Sequence, residues 1–202
     1  MNIISLFPTA IGKFSFGRNI TAEEMAFFNW QEVYQNFGNT TSLNRYILKN
    51  DAMSSINEFM ETSVNEYLKT ICVPKNEVKL KITQSWVNYT KEGQHHHLHS
   101  HANSFLSGVF YIKADREKDK IYFQKSLYNC IVLPTENFNT FNSTTWWIEV
   151  GTGDLLIFPS DLAHMVKEVK GEDRISLSFN TFPVGYIGQE EALTALHLND
   201  VA

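Results

Sequence analysis

The chain has 202 residues, 43% of them hydrophobic and 13% aromatic, and a formal net charge of −5. That length suits one domain with a full core, and the charge offers no general attraction to nucleic acid or anionic lipid. No apolar run approaches the roughly 18 residues of a membrane-spanning helix, and Met1 to Pro8 lacks the basic and apolar regions of a secretory leader, so a soluble, cytoplasmic protein without nucleic-acid or membrane partners is expected.

Thr21-Ala22-Glu23-Glu24 is a capping box, in which a hydroxyl at the cap and a glutamate three residues on satisfy amides of a helix's first turn. It predicts a helix running to Gly38, followed by a loop over Asn39 to Ser42. A second helix is expected from near Asp51. There Ile56, Phe59, Met60, Val64, Tyr67, Leu68 and Ile71 recur at the spacing of one helical face, and Pro74 stops the run. Such a stripe reads as a face packed on a sheet.

From Val78 the period changes to two: Val78, Leu80 and Ile82 alternate with Lys79, Lys81 and Thr83, and the strand continues through Trp86 towards Tyr89. Further strands are predicted over Phe105 to Ile112, Ile121 to Gln124, Cys130 to Leu133, Thr145 to Val150, Asp154 to Phe158, Ala163 to Val169 and Ile175 to Phe182. Between them, Asp115 to Lys120 reads as a solvated charged turn and Pro134 to Thr144 as a long loop or lid. Cys72 and Cys130 lie far apart in apolar settings and read as two buried free thiols. Short strands preceded by helices predict a mainly β (α+β) fold, a jelly roll backed by N-terminal helices. The whole chain, 1–202, reads as a single domain: 1–75 a strand plus helical support, 76–185 the β core, and 186–202 a C-terminal tail.

Five of the seven histidines fall within His95 to His101. Imidazole is a common transition-metal ligand, and alternate residues of a strand share a face. The pairs His95/His97, His97/His99 and His99/His101 are all open by spacing. His99 and His101 lie nearest the following strand and are the favoured pair, with His97 as substitute, while His95 and His96 read as exposed on a loop. His164, after a buried strand and a Pro-containing turn, can close the site from a distant strand. Arg174, Ser176, Ser178 and Asn180 alternate with Ile175, Leu177, Phe179 and Thr181, which gives one strand a polar face. That face is either solvated or lines a wet cavity. A guanidinium fork with a nearby hydroxyl suits a carboxylate.

Four stretches carry a family resemblance: Ile4 to Thr9; Gln84-Ser85-Trp86-Val87-Asn88 with Gly93; His99 to Tyr111; and Gly153-Asp154 through His164 to Arg174-Ile175-Ser176 and on to Asn180. In these the chain resembles the 2OG-Fe(II) oxygenases of marine bacteria and phages, within the prolyl-hydroxylase-like superfamily of double-stranded β-helix enzymes. The resemblance implies Fe(II) and 2-oxoglutarate as cofactors. It implies His99 and His164 as iron ligands, and Arg174 beside Ser176 as the partner of the cosubstrate's far carboxylate. It also implies Tyr89 and Tyr111 as cosubstrate-binding candidates. The superfamily pattern is His-x-Asp or His-x-Glu, whereas this sequence has His101 at the second position, so the implied triad is His99, His101 and His164. The implied activity is hydroxylation of an unidentified small-molecule or peptide substrate. The alternatives are a jelly-roll binding or structural module holding zinc or nickel, and a cupin-like dioxygenase whose substrate itself chelates the metal. Trp146-Trp147 and the loop before them could cover the pocket, and a homodimer through the helical face or an edge strand stays open.

Overall fold

Period-two alternation in the long strands places one set of side chains between two sheets and the other under a helix. The structure, a computed structural model, describes residues 1–125, 131 and 133–199. Twelve strands form among them: β1 (Gly12–Ser15), β2 (Val33–Gln35), β3 (Thr40–Ser42), β4 (Val78–Thr90), β5 (His96–His99), β6 (Leu106–Lys113), β7 (Lys120–Gln124), β8 (Thr145–Glu149), β9 (Asp154–Pro159), β10 (Ala163–Val166), β11 (Arg174–Ile187) and β12 (Leu196–Leu198). The major sheet runs β1-β9-β6-β11-β4-β3-β2, with β12 also paired to β11, and the minor sheet runs β5-β10-β7-β8. The fold is mainly β, a jelly roll backed by helices.

The helices are α1 (Ala22–Asn29) and α2 (Ser54–Tyr67). Thr21 caps α1: its hydroxyl accepts from the Glu24 amide and Glu24 accepts from the Thr21 amide. Ile56, Met60 and Val64 of α2 join Phe110, Ile112, Leu155, Ile157, Ile175, Leu177 and Phe179 in one buried cluster on the outer face of the major sheet. The alternate residues Val109, Tyr111, Leu156 and Phe158 meet Ile121 and Phe123 of the minor sheet in a second cluster.

Gly108 lies opposite Phe179 in the β6–β11 register, so the phenyl ring lies across the glycine. A Cβ there would stand 2.2 Å from Phe179 Cζ. Overpacking of this kind costs about 1–3 kcal/mol, which for a chain of this size lowers Tm by roughly 2–4 °C per kcal/mol. Gly108→Ala is therefore expected to melt several degrees below the parent in a thermal denaturation. An unchanged Tm would mean that the ring moves aside freely.

Several sequence expectations are corrected. The first helix ends at Asn29 rather than Gly38, and part of the expected loop from Asn39 is strand β3. The physical reason is a hairpin: Val33–Gln35 pairs with Thr40–Ser42, and Gly38, at φ +89°, makes the turn. Cys72 is exposed rather than buried: it ends a π-helical turn (Leu68–Cys72) after α2, of which Leu68 is the buried residue. The charged turn is not wholly solvated, since Asp119 is buried. β11 continues to Ile187 and pairs with β12, so residues of the expected tail extend the sheet. The strand expected over Cys130 to Leu133 falls largely outside the described residues, as does Cys130 itself. No helix among the described residues is long and apolar enough to cross a membrane.

Candidate metal centre

Strands β5 and β10 pair through His99 opposite His164 and Val166 opposite His96, with a register shift between them. An irregularity of this kind turns residues three apart towards the same face, and both His96 and His99 line the pocket between the sheets. His101, just past β5, is anchored where its amide donates to the Ser160 carbonyl at 2.8 Å. Ring nitrogens of His99, His101 and His164 consequently lie within 4.8 Å of one another.

The hydrogen bonds on these imidazoles fix which nitrogen faces inward. The His99 Nδ1–H donates to the His97 carbonyl at 2.8 Å, and the His164 Nδ1–H to the Leu162 carbonyl at 3.0 Å. The His101 Nδ1–H donates to Asn180 Oδ1 at 2.5 Å. With each Nδ1 a donor, each Nε2 carries its lone pair, and the buried His101 Nε2 has no partner among the described residues. Burial lowers the pKa of His99 to about 4 and that of His164 to about 3; burial also lowers that of His101, against the raising effect of the Asn180 bond. All three are neutral at pH 7. A trio of neutral imidazoles, each held from behind by an oxygen, is the donor set of a divalent transition-metal site. The residues therefore fit an iron(II) ion.

A second trio, His96, His97 and His99, also has ring nitrogens within 4.8 Å of one another but shares His99. His95 is exposed, as read from the sequence, and its amide donates to the Gly38 carbonyl at 3.1 Å. His96 differs from expectation: it is a half-buried strand residue lining the pocket, with its ring stacked 4.7 Å from His99.

Arg174, Ser176 and Ser178 line the same pocket, which settles the polar face of β11 as interior rather than solvated. Arg174 is 2% exposed. Its Nη1–H donates to the Lys120 carbonyl at 3.1 Å, and Nη1 lies 3.9 Å from Asp119 Oδ1. Tyr111 is fully buried beneath it, with the guanidinium carbon 4.8 Å from the ring centroid; its hydroxyl has no partner among the described residues, and burial pushes its pKa up to about 12. Tyr89 lies elsewhere. It pairs with Ile175 on the helix side of the sheet, and its hydroxyl donates to the Phe28 carbonyl. Parity explains the separation, because Trp86 and Asn88 point into the pocket and their odd-numbered neighbours do not. Trp146 and Trp147 stack on each other in β8 and do not line the pocket. Asp161 is exposed.

Sequence reasoning missed Trp86, Asn88 and Asn180 as site residues. Trp86 stacks on His101 at 5.7 Å and 25°. Asn88, opposite Ser176, donates to Ser178 Oγ at 3.0 Å and keeps a buried, unpartnered Oδ1. Asn180 Oδ1 also accepts from Ser107 Oγ at 2.8 Å. The signal was the same alternation that singled out Arg174 and Ser176, read through to Asn180 and applied to β4.

Residues 84–180 match a family model described as "Putative 2OG-Fe(II) oxygenase". Among solved structures, similar folds include HygX from Streptomyces hygroscopicus with nickel, 2-oxoglutarate and hygromycin B bound, 12% identical with a TM-score of 0.59 over 95% of this chain and 92% of that one. Others are the non-heme alpha-ketoglutarate-dependent epimerase SnoN from nogalamycin biosynthesis, 11% identical at TM-score 0.60 over 86% and 78% of the two chains, and a Pseudomonas putida prolyl-4-hydroxylase, 12% identical at 0.53 over 85% and 92%. At these identities the likeness is one of fold. No curated protein matches the chain.

Proposed function

We propose that this chain, a member of the 2OG-Fe(II) oxygenase family through residues 84–180, binds iron(II) at His99, His101 and His164 and hydroxylates a C–H bond of a small-molecule or peptide substrate. The family uses Fe(II) and 2-oxoglutarate, and the bound metal supplies the oxygen chemistry, with the keto acid as the source of its reducing electrons. The protein's share is orientation. Arg174 takes the far carboxylate, with Ser176 beside it, because a fixed guanidinium in a buried pocket is a fork matched to that anion. Tyr111 keeps Arg174 in place by lying under its face, a supporting role rather than direct contact. Phe158, stacked edge-on 4.8 Å from His164, and Val109 line the pocket and limit its water.

One observation carries this reading: three histidines whose Nδ1–H groups are committed to oxygens, which leaves each Nε2 its lone pair, have ring nitrogens within 4.8 Å of one another in the pocket that Arg174 also lines. The test is succinate release from 2-oxoglutarate by iron-loaded protein, with or without substrate. Release that depends on added iron is expected. Stoichiometric metal binding with no release, even uncoupled, would favour a structural site for zinc or nickel, which a nitrogen-only donor set also suits.

Asn180 acts through His101 and is a positioning residue. Outer-shell partners of metal ligands are worth about 10–100-fold in affinity, so Asn180→Leu, which removes the acceptor at similar volume, should weaken cobalt(II) binding by about that factor. Asn180→Asp retains the acceptor and adds a charge, and should bind cobalt(II) at least as tightly as the parent. Equal affinities for the Leu variant and the parent, by titration of the cobalt absorption bands, would remove Asn180 from the centre.

A further inference from the structure

A cleft outside the metal pocket shares a wall with it. Trp86 lines both, and Asn180, which holds His101, lines the cleft together with Tyr34, Asn36, Arg45 and Gln84. Anything seated in the cleft therefore lies against two of the side chains that touch His101. Among the described residues no carboxylate lines it.

Arg45, the cation among its described lining residues, is fixed in place. The Arg45 carbonyl accepts from the Ser85 amide at 2.8 Å, which ties its backbone to β4. The guanidinium lies 4.8 Å over the Tyr34 ring, and its two Nη atoms donate to the Ser42 carbonyl and the Tyr34 hydroxyl. Those acceptors are neutral, and among the described residues no acidic side chain forms an ion pair with Arg45. Its other N–H groups stay available. A pre-oriented, uncompensated guanidinium at the rim of a cleft, among amides and an indole, is a site for an anion of a polar molecule. The protein's net charge of −5 gives such an anion no long-range attraction, so Arg45 acts locally.

We propose that this cleft is the substrate subsite. Its occupant is a small polar molecule with a carboxylate or phosphate, held by Arg45 so that its body lies over Trp86 beside His101. The assignment of the occupant as substrate rests on the oxygenase reading above; the anion site itself does not.

The test uses nitrogen-15-labelled protein loaded with zinc(II) and 2-oxoglutarate, so that the inner pocket is filled and the metal is diamagnetic. Inorganic phosphate and acetate are titrated separately, reading the Trp86 indole N–H (identified by its loss in Trp86→Phe) and the Arg45 Nε–H. Saturable shifts of both signals are expected, and the anion that saturates at lower concentration distinguishes phosphate from carboxylate. Arg45→Gln should raise the saturating concentration at least about 10-fold. Because Arg45 also ties Tyr34 and Ser42, a second variant guards against misfolding: Gln84→Glu, at an exposed position, adds a repelling charge and should weaken binding comparably. The distant Lys75→Gln should titrate like the parent. Absent or unsaturable shifts, or equal affinity in Arg45→Gln, Gln84→Glu and the parent, would overturn the subsite. Succinate release separates the two readings: release without anion binding removes only the subsite, while anion binding without release keeps the anion site and removes both the oxygenase and the occupant's role as its substrate.

Discussion

His164→Ala should abolish metal binding and iron-dependent succinate release together. The side chain is 5% exposed and supplies one of three converging nitrogens, so its loss leaves two neutral donors, and the expected fall in affinity exceeds the roughly 100-fold upper range for an outer-shell change. The measurement is thermal. Metal at 100 times its Kd stabilises the folded state by about 2.7 kcal/mol, which raises Tm by roughly 5–10 °C in a chain of this size. The parent should show that rise with cobalt(II) and His164→Ala should show none. The overlapping trio makes the result decisive. If His164→Ala kept the rise while His97→Ala lost it, the ion would sit at His96, His97 and His99, away from the orienting bonds of His101 and His164.

Much of this site was legible because it rests on parity. Arg174, Ser176, Ser178 and Asn180 alternate with Ile175, Leu177 and Phe179, and the structure sends the first three to the pocket, Asn180 to the adjoining cleft where it holds His101, and the second set to the helix α2. The same rule, followed from Trp86 to Asn88, excludes Tyr89 from the pocket, where the family resemblance had implied a cosubstrate contact. His96 was misread for a different reason. Simple alternation would set it opposite to His99, and only the register shift against β10 brings both to one face; pairing partners 65 or more residues away leave no trace in a local period. The hairpin of β2 and β3 was hidden likewise. Three-residue strands are too short to display alternation, and their extended form comes from pairing, β3 with β4 and β2 with β3. The burial of Asp119 depends on a guanidinium from β11, which its charged neighbours Asp115 to Lys120 do not announce.

Arg174→Gln should lose 2-oxoglutarate binding. Truncating one partner of a buried, hydrogen-bonded charge pair costs about 2–5 kcal/mol, or roughly 30- to 5,000-fold in Kd, so saturation should disappear from the accessible range while cobalt(II) still binds. Stability changes too, because Asp119 is 6% exposed and loses its nearest guanidinium, 3.9 Å away, and is left with the Asp115 amide at 2.8 Å. An uncompensated buried carboxylate is costly, and Tyr111 loses the cation over its ring. A bare loss of 2-oxoglutarate affinity could therefore reflect a loosened pocket. The pair Arg174→Gln with Asp119→Asn separates the causes. Neutralising Asp119 removes the stranded charge and should recover most of the Tm, but it restores no cation to the pocket, so calorimetric 2-oxoglutarate binding should stay lost. Recovery of binding along with Tm would show that Arg174 only props the fold, and the carboxylate clamp would have to be sought in the other polar groups lining the pocket, Asn88 and His96 first among them.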